Sequence, residues 1–444
     1  MRRAHRTVDR NVSRIRPFDD GSGGPHVLIL VQNLPVPLDR RVWLECKALR
    51  QAGFEVSVVC PMGPDRVAYE ELEGVHIHRY PPPPQAAGLP GFVSEVVYCW
   101  LATAWMALRI ARRHRIDAIQ ACNPPDTYFA LAAPFKLFGT RFVFDQHDLC
   151  PELADVRFSG TARRVARPLL ELLERFTYRL ADHVISTNGS FQGIALTRGS
   201  VDPVASTVVR SGPVASEMRR GDPHPDLRGG KRHLACYLGV MGPQDGVDLL
   251  LRGIAELVHR RGRTDCHFAL LGFGDCLVDL RVEATELGID PWVTFAGRAD
   301  DRMISEYLST ADLGVAPDPS NGFNDLCTMN KVVEYMAFGV PVVCFDLPEH
   351  RVSAADSAVY VSDNDVEALA EAIDGLLGDE ARRARMSRTA RSRIEDGLCW
   401  ERQAEAYVSI YNKLLRRPAA DTETAAPEDV PTPKPSWSGR PDAA

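Results

Sequence analysis

The chain has 444 residues, too many for one comfortable core, and at about 150 residues per domain it makes two or three. Hydrophobic residues at 45% and charged residues at 25% confine disorder to local segments, while a net charge of −7 excludes a general nucleic-acid binder. Eleven cysteines without paired metal spacing exclude a readable zinc site and point to reduced thiols in the cytoplasm.

Residues 1–25, opening with MRRAHRTVDRNVSRIR, read as a solvated basic tail without the continuous apolar segment of a secretory signal. HVLILVQ, from His26, is an apolar run of strand length, followed by a loop, the helical pattern DRRVWLECKALRQAG and a second strand, EVSVVCP. VVYCWLATAWMALRI, Val96 to Ile110, is almost wholly apolar, yet it contains Arg109 and is shorter than the roughly 20 residues of a spanning helix. It reads either as a core helix against a sheet or as a helix with Trp100 and Trp105 partly exposed to a bilayer surface. DAIQACN, RFVFDQHD and HVISTN continue the strand pattern, and strands alternating with helices mean a parallel sheet covered on both faces. One doubly wound domain is therefore expected over 26–212.

A Gly-, Pro- and charge-rich break at 213–231 reads as a linker. HLACYLGV, HFALLGFG, VTFAGR, DLGVAPD, PVVCFD and AVYVS then repeat the strand pattern, with helices such as GVDLLLRGIAELVHRRG between several of them, giving a second unit over 232–395. An amphipathic helix is expected at 396–416 and a disordered Pro/Ala tail at 417–444. DND, Asp363 to Asp365, reads as a helix cap rather than a metal motif, and no metal is expected.

Ligands of open parallel sheets bind beyond the carboxyl ends of the strands, so two such domains imply a cleft between them. In TMNKVVEYMAFGVPVV, Thr328 is placed to cap a helix beginning at Met329 and stopping before Gly339. Backbone N–H groups at that start, the helix dipole and Lys331 in the first turn attract phosphate. Spacing of three puts Lys331 and Glu334 on one face with Tyr335 beside them, and Glu334 is placed to accept ribose hydroxyls. The plain alternative is a surface ion pair.

NLPVPLDRRVW, NPPDTY, FDQHD and above all TMNKVVEYMAFGVPVV resemble the retaining glycosyltransferases of family four, over about 26–416. The resemblance implies the GT-B fold: α/β, with two Rossmann-like doubly wound domains facing each other across a cleft. It implies no cofactor, a nucleotide-diphosphate sugar as co-substrate in the second domain, and an acceptor approaching the first. On this chain Lys331 would bind the diphosphate and Glu334 the ribose, with Thr328, Asn330, Gly239, Gly242 and Gln244 around the donor. His147 would meet the transferred sugar, and Arg40, Arg41 and Asn123 would face the cleft from the acceptor side. Two departures stand out. The family's first glutamate, eight residues before Glu334, is Leu326 here, which leaves Asp325 or Asn324 to hold the sugar. The family's basic pair after the strand CYLGV is replaced by the Gly-rich turn MGPQDG, whose backbone N–H groups still cradle phosphate. The implied reaction is transfer from a UDP-sugar to a lipid-linked saccharide for a surface polysaccharide, in the cytoplasm or at the inner face of the membrane. The rival readings are an inactive nucleotide-sugar-binding protein of the same fold and a nucleotide-sugar epimerase.

Overall fold

A computed structural model describes residues 24–63, 66–83 and 88–415; the tails expected at 1–25 and 417–444 fall outside it except for Gly24 and Pro25. In the first half the elements are β1 (His26–Leu30), α1 (Arg40–Gln51), β2 (Glu55–Pro61), β3 (Tyr69–Leu72), β4 (Val75–Tyr80), α2 (Gly88–Ala111) and β5 (Ala118–Cys122). They continue with α3 (Phe129–Lys136), β6 (Arg141–Gln146), α4 (Cys150–Arg157), α5 (Gly160–Leu180), β7 (His183–Ser186), α6 (Gly189–Thr197) and β8 (Ser206–Val208). The second half has β9 (His233–Leu238), α7 (Val247–Ala255), β10 (Cys266–Leu271), α8 (Leu277–Glu286), β11 (Val293–Gly297), α9 (Asp301–Thr310) and β12 (Leu313–Ala316). It closes with α10 (Asn330–Ala337), β13 (Val342–Phe345), α11 (Pro348–Ala354), β14 (Ala358–Val361), α12 (Val366–Gly378), α13 (Glu380–Arg393) and α14 (Trp400–Leu414).

Two sheets result, ordered β3-β4-β2-β1-β5-β6-β7-β8 and β11-β10-β9-β12-β13-β14. Their central strands are apolar along their length because helices cover both faces; β1, β5 and β9 are buried at every position. All pairings are parallel except β3 with β4, which the expectation of a parallel sheet missed. That hairpin turns at Glu73 and Gly74, both at positive φ (49° and 77°), the backbone a two-residue reversal demands.

The last helix returns to the first sheet. Trp400, Tyr407, Ile410 and Tyr411 of α14 sit in the same core as Val42, Cys46 and Leu49 of α1. Asp365 caps α12 by accepting the Ala368 N–H at 2.9 Å, as its position in the sequence suggested. The apolar segment 96–110 buries one face and exposes the other. Cys99, Thr103, Ala107 and Ile110 are buried against the sheet, whereas Val97, Leu101, Trp105 and Leu108 are exposed. Trp100 is half-buried and donates from Nε1 to the Thr127 carbonyl at 3.4 Å, so only Trp105 of the two tryptophans faces outward. No helix among the described residues is long and apolar enough to cross a membrane.

Candidate active site

In the second sheet the chain order reverses between β9 and β12, so the loops after these strands meet at the crevice where such sheets bind ligands. They meet closely. A Cβ on Gly246, which holds φ 65°, would lie 1.9 Å from the Pro317 carbonyl oxygen, so only glycine fits. Asn324, fully buried, clasps the two loops by donating from Nδ2 to the carbonyls of Gln244 (2.9 Å) and Pro319 (2.8 Å). A Cβ on Gly239 would come within 3.1 Å of Lys331 Cε, so the lysine stem runs directly under the Gly-rich turn.

Lys331 is buried, with Nζ 2.5 Å from Asp318 Oδ1, 3.7 Å from Asp245 Oδ1 and 4.9 Å from the Tyr237 ring centroid. Burial opposes its charge, but Asp318 and Asp245 outweigh burial and keep it protonated beyond the ordinary lysine range. Asp245 Oδ2 accepts the Gly242 N–H at 2.9 Å, so the chain's own carboxylate occupies a donor of the turn expected to cradle phosphate. Burial, with Asp318 adding to it, raises the Asp245 carboxyl above the usual range despite Lys331. Glu334 lies one helical turn beyond, its side chain 19% exposed, and receives Arg40 Nη1 at 3.3 Å from across the cleft. Burial raises its carboxyl against the pull of Arg40 and Lys331. Arg40 also pairs with Asp301.

Three expectations about this helix are corrected. Thr328 does not cap α10, which begins at Asn330 behind Met329 with no side-chain cap. Its hydroxyl instead donates to Glu349 Oε2 (3.0 Å) and accepts from Asn188 Nδ2 (3.1 Å), tertiary partners that outcompete the local cap. Tyr335 does not share the cleft face; it is fully buried, donating to the Val315 carbonyl and accepting the Leu238 N–H. Lys331 is no surface pair with Glu334, since its ammonium turns to Asp318. Asn330 is exposed at the helix start. Leu326, where the family pattern has a carboxylate, packs against Leu149, Phe191 and Phe323, a small apolar cluster shared by the two domains. Asp325 points Oδ2 at the Ser320 hydroxyl (3.1 Å), while its buried Oδ1 has no partner among the described residues.

Across the cleft, the corresponding reversal lies between β1 and β5. His147, just past β6, sets Nε2 2.7 Å from Asp145 Oδ2 and 3.1 Å from Arg41 Nε. Nε2 cannot both accept from Arg41 and donate to Asp145; with Asp145 ionised it carries its proton toward that carboxylate, and Arg41 Nε also stands 3.1 Å from Glu45 Oε1 as an ion pair. Burial and Arg41 disfavour the imidazolium, yet Asp145 raises His147 above the ordinary histidine value. Burial would likewise raise Asp145, but Arg41 and His147 hold it well below the carboxylate range. Burial and the neighbouring Asp145 push Glu45 up to about 8. Gln120 donates to both carboxylates and accepts the hydroxyls of Tyr407 (2.6 Å) and Tyr411, which joins α14 to the network.

Arg41 therefore does not face the cleft as expected. Its guanidinium is spent on Asp145, Glu45, Ser211 and the Val209 carbonyl. Asn123 is also buried: its carbonyl accepts the N–H groups of His147 (2.6 Å) and Asp148 (3.1 Å), so it shapes the His147 loop from behind. Side-chain donors of Glu45, Cys122, Asp145 and His147 lie within 4.8 Å of one another, a spacing a metal could use. The Arg41 guanidinium already compensates their charge, and the set reads as an ion-pair network. The partners Asp145, Asp245 and Asp318 were missed in the sequence; each stands at a strand end or in the loop just after one, the signal that should have exposed them.

A family model described as Glycosyl transferase 4-like domain matches residues 38–212, and one described as Glycosyl transferases group 1 matches 232–379. Among curated proteins, the chain is 30% identical over 191 residues to a GDP-mannose-dependent alpha-(1-6)-phosphatidylinositol monomannoside mannosyltransferase of Mycolicibacterium smegmatis, covering 40% of this chain and 49% of that protein. The match thus spans about half the length of this curated relative. Among solved structures, the sucrose-phosphate synthase of Thermosynechococcus elongatus superposes with a TM-score of 0.72 at 17% identity, covering 88% of this chain and 99% of that one. Anabaena HepE, solved in complex with UDP and glucose, superposes with a TM-score of 0.67 at 16% identity, covering 88% and 100%.

Proposed function

Because this chain belongs to the family-four glycosyltransferases of the GT-B fold, we propose that it moves a hexosyl or N-acetylhexosaminyl group from a nucleotide-diphosphate sugar to an acceptor hydroxyl, with retained anomeric configuration. The observation that carries this reading is the convergence of buried Lys331, the Gly-rich turn and Glu334 at one crevice. In it, Lys331 and the backbone N–H groups of the turn stabilise charge developing on the departing diphosphate. The bond from the anomeric carbon to the diphosphate oxygen breaks, a bond to the acceptor oxygen forms on the same face, and the acceptor proton passes to the diphosphate.

Glu334 exchanges Arg40 for the ribose hydroxyls, and Asn330, Gly239, Gly242, Gln244 and Thr328 border the donor. His147 meets the transferred sugar with its ring held in place by Asp145. The unpartnered Oδ1 of Asp325 supplies the carboxylate contact that Leu326 cannot. UDP is the proposed carrier, in keeping with the UDP complex of the HepE neighbour. A lipid-linked saccharide at the inner face of a membrane is the proposed acceptor, in keeping with the phosphatidylinositol-based name of the Mycolicibacterium relative. The test is calorimetric titration with UDP, GDP, ADP and their sugars, followed by donor turnover with and without a membrane extract. One diphosphate should bind, Glu334→Gln should weaken it by about 1–3 kcal/mol, and turnover should require the extract. Absence of binding by every nucleotide, or donor consumption indifferent to acceptor, would overturn the proposal.

A further inference from the structure

Helices α2, α3 and α5 line one face of the first sheet, and their outer side is apolar where a solvated helix layer is ordinarily polar. On α2 the exposed side chains Val97, Leu101, Trp105 and Leu108 fall on one stripe at steps of four, four and three. On α5 Val165, Leu169, Leu172 and Phe176 do the same at four, three and four. Leu137 and Phe138, just past α3, are 85% and 87% exposed. The stripes belong to one surface: Phe129 of α3 stacks on Phe176 at 5.6 Å, and a cavity of about 350 Å³ opens between Leu108 of α2 and Phe135 and Phe138 at the end of α3. So large a contiguous apolar area on a soluble domain marks an interaction site.

Charge says what meets it. Although the chain carries a net −7, α5 alone has five arginines against two glutamates. Arg112, Arg113, Arg164, Arg175 and Arg179 are exposed at the edges of the stripes, without an ion pair among the described residues. Arg109 lies over the Trp105 ring at 5.3 Å, an aromatic and a cation side by side as at a bilayer interface. A second copy of the chain would set these arginines against one another across a two-fold axis, which like-charge repulsion disfavours.

We infer that this α2–α3–α5 face docks on an anionic lipid bilayer, with the apolar stripes at the acyl boundary and the arginines on headgroup phosphates. All three helices start at the carboxyl end of the sheet, so a bilayer lying along them also borders the mouth of the cleft. This deepens the lipid-linked acceptor proposed above, and its test fails separately from that reading.

The full chain is sedimented with vesicles of phosphatidylcholine alone and of phosphatidylcholine with phosphatidylglycerol, at low and high salt. It should pellet with the anionic vesicles only, and less as salt rises. Leu101→Ser/Trp105→Ser/Leu169→Ser should lower the partition at least tenfold with an unchanged thermal midpoint, because each side chain is already about half exposed. Arg112→Glu/Arg113→Glu/Arg175→Glu, which touches no core, should abolish the preference for anionic lipid. Equal pelleting on both vesicles, wild-type partition in either variant, or a dimer in solution that the serine variant splits would overturn the inference. UDP titration on the same samples reads the donor site independently: a protein that docks but binds no nucleotide removes the transferase reading and leaves the lipid face standing.

Discussion

Each side of the cleft buries one cation between two carboxylates: Arg41 between Asp145 and Glu45, Lys331 between Asp318 and Asp245. The likeness ends with the cations. Arg41 is a rigid fork, sealed from solvent, whose donors are also committed to Ser211 and the Val209 carbonyl. Lys331 is a compact charge on a flexible stem, tight to Asp318 but loose to Asp245, beneath Gly239, which has no side chain to press on it. One arrangement holds a histidine still; the other can trade a counter-ion. Under the proposed function, Asp245, which accepts the Gly242 N–H beside Lys331, holds a donor that an incoming phosphate oxygen would take.

The largest expected effect breaks the comparison in two. Lys331→Ala and Arg41→Ala each leave buried carboxylates uncompensated, and each should cost about 3–5 kcal/mol of stability in denaturant titration. Only Lys331→Ala should also lower the transfer rate, by about 10²–10³-fold in kcat/KM, and abolish nucleotide binding. If Arg41→Ala lost UDP affinity as fully, the division into hub and exchangeable site would be wrong.

A smaller effect concerns Asp245. Because burial raises its carboxyl, lowering the pH through that raised value removes one negative charge from the phosphate site, so nucleotide affinity should climb as pH falls. Asp245→Asn should reproduce the gain at neutral pH, about tenfold, and flatten the pH dependence in calorimetry. Weaker binding in that variant would mean the carboxylate organises the turn instead of obstructing it.

The smallest effect is read at His147. Asp145 is what raises this imidazole against burial and Arg41, so in Asp145→Asn its titration, followed by NMR, should move to lower pH. An unmoved titration would detach His147 from the network.

Much of the architecture was legible because buried parallel strands are apolar without interruption, and runs such as HVLIL and HLACYL read as nothing else. The exposed strand YEEL alternates and carries two glutamates, so no apolar run marks it in the sequence. Lys331 and Glu334 stood out because local spacing and a helix start define them. Their counter-ions and the Thr328 partners come from up to 294 residues away, beyond any local pattern. Arg40 and Arg41 show the limit most plainly: adjacent on α1, they point about 100° apart, and one reaches across the cleft to Glu334 while the other is sealed in the core.

The return of α14 to the first sheet has a consequence for the order of synthesis. Chains emerge amino end first and domains ordinarily fold in that sequence. Here the core under α1 lacks Trp400, Tyr407, Ile410 and Tyr411 until residue 411 has left the ribosome, and Gln120 waits for its two tyrosine hydroxyls. The second domain, whose two core clusters draw on residues 234–399, is complete just before α14 emerges. The half made first is thus the half finished last, and during that interval its uncovered apolar face depends on chaperones or on speed.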